Sequence, residues 1–211
     1  TGQWDFTTPL PKNAKLETGV RSNYKRSYSD NAVDNFLYPS NDYVRDTVLS
    51  STYVIDDIVN AAYVTFAQSV KKFSYQVGLR FEQSYYAGKL LDRNLTFSYQ
   101  YPSSPSKLYY SIFPSLNLSQ KFGEKHELQF NVTRKIRRPN FFQMSPFVFY
   151  SDKFNYRIGN PLLQPEFTNQ AEINYNLVLS KFNWLSSIYG RYTEQPITPY
   201  NSVAPNDSLV L

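Results

Sequence analysis

Cysteine is absent from the 211 residues, which excludes disulfides and thiolate metal sites. Histidine occurs once. His126 sits in a short turn beside Lys125 and Glu127, without the partners that a metal site or a histidine-based triad needs. Seven glycines form no phosphate-binding motif. No run of about 18 apolar residues exists, and the mean hydropathy is -0.50, so a transmembrane helix is excluded. Thr1 is followed by neither a basic start nor an apolar stretch, so it begins no signal peptide. A mature chain or a fragment would both look like this. Net charge is a mild +5 and is spread along the chain, whereas nucleic-acid binders concentrate it. Catalysis, a cofactor, a metal and a nucleic-acid partner are therefore not expected.

Aromatic residues are plentiful. The 19 tyrosines and 16 phenylalanines favour strands and boundaries where a ring is apolar at one end and wet at the other. Long stretches alternate with period two. Ala14, Leu16, Thr18, Val20, Ser22 and Tyr24 oppose Lys15, Glu17, Gly19, Arg21, Asn23 and Lys25. Phe73, Tyr75, Val77, Leu79, Phe81 and Tyr85 oppose Ser74, Gln76, Gly78, Arg80, Glu82 and Ser84. Leu108, Tyr110, Ile112, Leu116, Leu118 and Phe122 share a face, opposite Ser111, Ser115, Asn117, Ser119 and Lys121. Leu128, Phe130, Val132 and Ile136 continue the pattern, then Ala171, Ile173, Tyr175, Leu177 and Leu179. Trp184, Ile188 and Tyr192 suggest one more strand, and Trp4, Phe6 and Thr8 a strand tail. Tyr53 to Ser69 is the weakest case, because both faces carry apolar residues. Several of these runs exceed the usual strand of about 5–6 residues.

Connection lengths also alternate. Pro9–Asn13, Lys71–Lys72, Gly123–His126 and Lys181–Asn183 are short. Ser29–Thr52, Tyr86–Lys107, Arg137–Glu166 and Glu194–Asp207 are long and polar. Short turns at one end and long loops at the other is the plan of a bacterial outer-membrane barrel, and a soluble sandwich has no reason to sort its loops so. The expected fold is all-β: an antiparallel transmembrane β-barrel segment of roughly eight strands, apolar toward lipid and polar toward the lumen. The most irregular stretch, Arg137 to Glu166, holds Pro139, Pro146, Pro161 and Pro165, which cannot donate to a sheet ladder. It is expected to be an ordered loop folded over the barrel rim.

That same stretch carries a resemblance. Arg137-Arg138-Pro139-Asn140-Phe141-Phe142, followed by Gly159-Asn160-Pro161-Leu162-Leu163-Gln164-Pro165-Glu166, resembles a two-part signature of TonB-dependent outer-membrane receptor barrels. It is most similar to the Bacteroidetes-type outer-membrane β-barrel family. Phe113-Pro114-Ser115-Leu116 and Tyr75-Gln76-Val77-Gly78-Leu79-Arg80-Phe81-Glu82 fit the same family. The resemblance implies solute uptake across the bacterial outer membrane. It implies as partners outer-membrane lipid, a plug domain of the same full-length chain, a TonB-type energy-coupling system, and a surface lipoprotein or other envelope subunits. Transporter-class barrels have 22 strands, and neither a plug nor an energy-coupling box is found here. Residues 1–211 are thus expected to be part of a larger barrel, with Leu209-Val210-Leu211 starting another strand and the sheet left open.

Charges on the polar face include Lys15, Glu17, Arg21, Arg80, Glu82, Lys121, Lys135, Arg137 and Glu172. A hydrated wall needs only polar residues, so most of these require no further role. Glu166, Arg137, Arg80 and Glu172 are the candidates to face the lumen or a plug. Arg138, Phe141, Phe142, Tyr150 and Tyr156 are the loop candidates for binding, with Phe147, Phe149 and Phe154 beside them. Such rings also order loops or sit in a membrane girdle. Asn94-Leu95-Thr96, Asn117-Leu118-Ser119 and Asn131-Val132-Thr133 match glycosylation acceptors, which carry no meaning on a bacterial barrel. Two rival functions stay open: a structural barrel subunit of an envelope complex without transport, and a soluble β-rich binding domain.

Overall fold

Alternation on this scale is realised as long strands. The computed structural model describes residues 1–47, 49–145, 148–152 and 155–201, with only the backbone for 148–152 and 155–156. In chain order the elements are β1 (Gly2–Leu10), β2 (Ala14–Asn31), β3 (Asp34–Leu37), β4 (Asp42–Arg45), β5 (Ser51–Val70), β6 (Phe73–Leu90) and β7 (Leu95–Tyr101). A 3₁₀ turn (Pro105–Ser111) precedes β8 (Ile112–Phe122), β9 (His126–Arg137), α1 (Phe141–Met144), β10 (Val148–Asp152), β11 (Asn155–Ile158), β12 (Glu166–Val178) and β13 (Asn183–Glu194). The main sheet is antiparallel, in the order β1-β2-β5-β6-β8-β9-β12-β13, with β7 also on β6. Among the described residues β1 and β13 do not pair, so the sheet is open.

Eight rungs match the expected strand number, because β7 and β8 are two halves of one rung. β7 pairs with β6 from Ser84 to Leu90. β8 pairs with β6 from Phe73 to Phe81. Residues 102–111 form an excursion between the halves, and this corrects the sequence reading. Leu108 and Tyr110 lie in the 3₁₀ turn, not on a strand with Ile112. Most of the expected loop Tyr86–Lys107 is strand, since β6 runs to Leu90 and β7 returns from Leu95. The expected loop Ser29–Thr52 is likewise shortened by β2 and β5 and contains the β3–β4 hairpin. Tyr53–Ser69, the weakest sequence pattern, belongs to the longest strand, of 20 residues. It spans about 65 Å, against an apolar band about 25 Å tall. Its mixed pattern arises because much of it stands clear of that band. Leu209–Leu211, Pro146, Phe147 and Phe154 lie outside the described residues.

Cross-strand register sorts the side chains into rows, since paired residues share a face. One row reads Leu16, Phe66, Val77, Leu116, Val132 and Ala171. The next reads Tyr75, Leu118, Phe130, Ile173 and Ile188. These apolar rows are open to the surroundings: Val77 is 50% and Ile188 76% exposed. A contiguous exposed apolar band on a sheet is what lipid covers, and a water-soluble sandwich would not leave it bare. On the opposite face, the rows run through Gln76, Asn117 and Asn131, and through Arg21, Ala61 and Glu82. Above the band even the outer face turns polar. Ser22 Oγ donates to Asn60 Oδ1 at 2.8 Å, and Asn60 Nδ2 to Gln83 Oε1 at 2.9 Å.

Candidate functional site

The polar face is richest in charge at its long-loop end, where the irregular stretch after β9 meets the strands. Asn140 begins α1. Its side chain accepts from the Gln143 amide at 3.0 Å, and Gln143 Oε1 accepts from the Asn140 amide at 2.9 Å. This reciprocal cap fixes a helix of one turn that could not persist alone. The second half of the signature docks on that turn. The Gly159 amide donates to Ser145 O at 2.8 Å, and the Asn160 amide to Gln143 O at 2.7 Å. A Cβ on Gly159 would lie 2.5 Å from Phe142 O and 2.6 Å from Gln143 O, so only glycine permits this approach. Asn160 then caps the turn, accepting from the Leu162 amide at 2.9 Å.

Arg137 and Glu166 close the base of the loop as register partners. Arg137 Nη2 donates to Glu166 Oε1 at 2.6 Å, and Nε donates to Oε2. Glu166 is buried and also accepts from the Ile197 amide, while Arg137 Nη2 donates to Ile197 O at 3.3 Å. The ion pair therefore holds both backbone groups of one residue beyond β13. Glu166 lies above the apolar band, and its hydrogen bonds from Arg137 hold the carboxyl below the usual carboxylate range against the opposing effect of burial.

Arg138 reaches the other way. Its Nη2 donates to Glu82 Oε2, while Arg80 Nε lies 2.5 Å from Glu82 Oε1. Glu82 is 6% exposed and sits on β6 between the stretches paired with β7 and β8. Below this network a concavity of about 350 Å³ opens on the polar face. It is lined by Gln3, Arg21, Tyr63, Arg80, Phe113 and Ser115 among others. Tyr63 donates its hydroxyl to Asp5 across Gly19. The arrangement offers guanidinium, hydroxyl and amide groups to a polar solute or protein surface. Among the described residues no cluster of three potential metal ligands occurs.

The candidates named from sequence thus fall into separate places. Arg137 pairs with Glu166, and Arg80 shares Glu82 with Arg138. Glu172 stands apart, accepting from Gln170 Nε2 at 3.3 Å. Phe141 is 5% exposed and stacks on Tyr53 at 4.4 Å in a core with Leu90. Phe142 is 56% exposed and meets Phe141 edge-on at 5.4 Å. Tyr150 and Tyr156 are register partners across the β10–β11 hairpin, and their side chains lie outside the described residues. Sequence reading passed over Glu82 as generic wall, and missed Tyr53 and Ile197. Glu82 carried one usable signal, a basic neighbour at i−2 on the same face. Its second partner is 56 positions away and left no local trace.

The profile of the outer membrane protein beta-barrel family matches residues 1–211, the whole chain. No curated protein matches. Among solved structures, the siderophore receptor PirA from Acinetobacter baumannii is similar at 13% identity and a TM-score of 0.43. The alignment covers 99% of this chain and 38% of that one.

Proposed function

The chain belongs to the outer membrane protein beta-barrel family and resides in the outer membrane, and on that premise we propose that it forms part of the barrel wall of a TonB-dependent receptor taking up a solute. One observation carries the reading: the charged ledge of Arg80, Glu82, Arg138, Arg137 and Glu166, concentrated at the long-loop mouth of the polar face. A scaffold's lumen needs only polar residues, whereas here guanidinium groups gather at the entrance, where a plug or an entering solute would meet them. In this reading the polar concavity contacts a plug or the passing solute. The plug gates passage with energy from a TonB-type system, and the wall performs no catalysis. Loop partners would be a surface lipoprotein or other envelope subunits.

A structural role without transport draws support from a different fact. Phe141 and Arg138, two of the binding candidates, are occupied in rim packing. Glu166→Gln in the full-length protein separates the two readings, with solute uptake and thermal unfolding both measured. Lost uptake at unchanged stability supports the receptor. Lost stability with uptake retained by the folded fraction supports the structural clasp. No change in either quantity refutes a role for the ion pair.

A further inference from the structure

The five net positive charges are unevenly placed. The short-turn end holds seven lysines, no arginine and three glutamates, and so four of the five net charges. Each of the four short connections contributes: Lys12, the pair Lys71 and Lys72, Lys125, and Lys181. All five are exposed, and among the described residues none forms an ion pair with a carboxylate. Lys15, by contrast, is paired with Glu17.

Their backbones are fixed. Gln68 Nε2 donates to Lys12 O at 3.1 Å. The Lys121 amide donates to Lys72 O at 2.9 Å, and the Val178 amide to Lys125 O at 2.7 Å. The ammonium groups therefore project from set positions on flexible stems. Beside them the outer face is aromatic. Phe73 follows Lys72 and lies 6.0 Å from Tyr75, which in turn lies 6.0 Å from Phe66. His126 follows Lys125, with its ring 6.0 Å from Tyr175. Trp184 and Phe182, near Lys181, are 59% and 55% exposed. Rings of this kind settle at headgroup depth, and lysines next to them reach the phosphate layer.

We infer that the turn lysines form a row that binds the phosphates of anionic phospholipids in the periplasmic leaflet, the side on which short barrel turns lie. A compact, strongly hydrated ammonium suits a phosphate met as a point charge. Charge complementarity also selects the lipid class: phosphatidylglycerol-type headgroups over zwitterionic ones.

The test uses the full-length protein in mixed micelles of phosphatidylglycerol and phosphatidylcholine, with retained lipid read by native mass spectrometry. Phosphatidylglycerol should be preferred about tenfold. Changing Lys12, Lys71, Lys72, Lys125 and Lys181 together to Gln should bring the ratio to parity, and changing them to Arg should keep it. At equal ionic strength, inorganic phosphate should displace the lipid no more than chloride does. Where the Gln variant fails to fold, judged by its heat-shifted gel mobility, raising salt on the unaltered protein from about 0.05 to about 0.5 M should erase the preference. Parity in the unaltered protein, an unchanged ratio in the folded Gln variant, insensitivity to salt, or displacement by inorganic phosphate beyond that by chloride at equal ionic strength would overturn the assignment.

Discussion

Glu82 and Arg138 come from opposite halves of the chain and meet where β6 has no strand partner on its β7–β8 side, so their coupling measures how firmly the irregular loop is tied to the wall. Glu82→Ala leaves the Arg138 guanidinium, with a side chain only 26% exposed, without its carboxylate. Arg138→Ala leaves Glu82 with Arg80, whose side chain is 45% exposed. Breaking a fully buried pair costs about 3–5 kcal/mol, but Arg80 and water soften the second loss. About 3 kcal/mol is expected for Glu82→Ala and about 1–2 kcal/mol for Arg138→Ala. The double variant should cost little more than Glu82→Ala alone, a coupling of about 1–2 kcal/mol. Urea unfolding of the full-length protein in lipid vesicles gives all four corners of the cycle. Additive single effects, within about 0.5 kcal/mol, would show that the contact contributes nothing and that the loop is held to the wall by its other contacts.

Gly159→Ala should destabilise by about 1–3 kcal/mol, because the new methyl meets backbone that cannot rotate away; Gly190→Ala, with nothing within 4 Å, should stay within about 0.5 kcal/mol, and equal effects in a melting experiment would refute the docked turn. Val77→Lys places a charge in the apolar rows and should cost about 2–4 kcal/mol in vesicle-based unfolding, whereas Gln76→Lys on the polar face should be near neutral; the reverse order would invert the facing. Acid should weaken the base of the loop. The carboxyl of Glu166 is depressed by Arg137, so its stabilisation is complete above the ordinary carboxylate range and is lost as pH falls through the depressed value. Amide exchange at Ile197 should therefore speed up on acidification, and Glu166→Gln should abolish that dependence; an Ile197 rate indifferent to pH, after correction for intrinsic exchange, would contradict it.

What could be read from sequence was what lipid and water impose locally. The row of Val77, Leu116 and Val132 was legible because each side chain has to match its own solvent, and period two records that match residue by residue. Strand number followed from the same signal. The breaks in the pattern were harder. β5 alternates poorly because it leaves the apolar band, and there the outer face carries Asp56 and Asn60 beside Ile58. The 3₁₀ turn was hidden because Leu108, Tyr110 and Ile112 sit at strand spacing, although Pro105 restricts the backbone before them. Arg137 and Glu166 were visible as motif members, but not Ile197 as their shared ligand, since nothing around Ile197 marks it.

The two irregular stretches make sense only together. The excursion from Pro102 to Ser111 delays β8, which joins β9 only from Ser115 downward. Above that point β9 continues to Arg137 without a β8 neighbour, and Glu82 and Gln83 on β6 lack one as well. A gap of this size in a wall leaves the buried Glu82 carboxylate to Arg80 of its own strand. The other irregular stretch and the start of β12 fill the gap. Arg138 crosses to Glu82. Phe167, just past Glu166, packs with Tyr101 and Phe113, with Tyr110 and Ile136 beside them, and the Arg134 guanidinium lies 4.9 Å over its ring. Phe141 anchors the far edge on Tyr53 and Leu90. Deleting the stretch after β9 should thus lower the melting temperature more than its exposed position suggests, because Arg138 and Phe141 pack into the rim that the excursion leaves open. This also explains why a chain of regular alternation keeps a proline-rich, aromatic stretch at its rim: the stretch is the part of the wall that strand pairing does not reach.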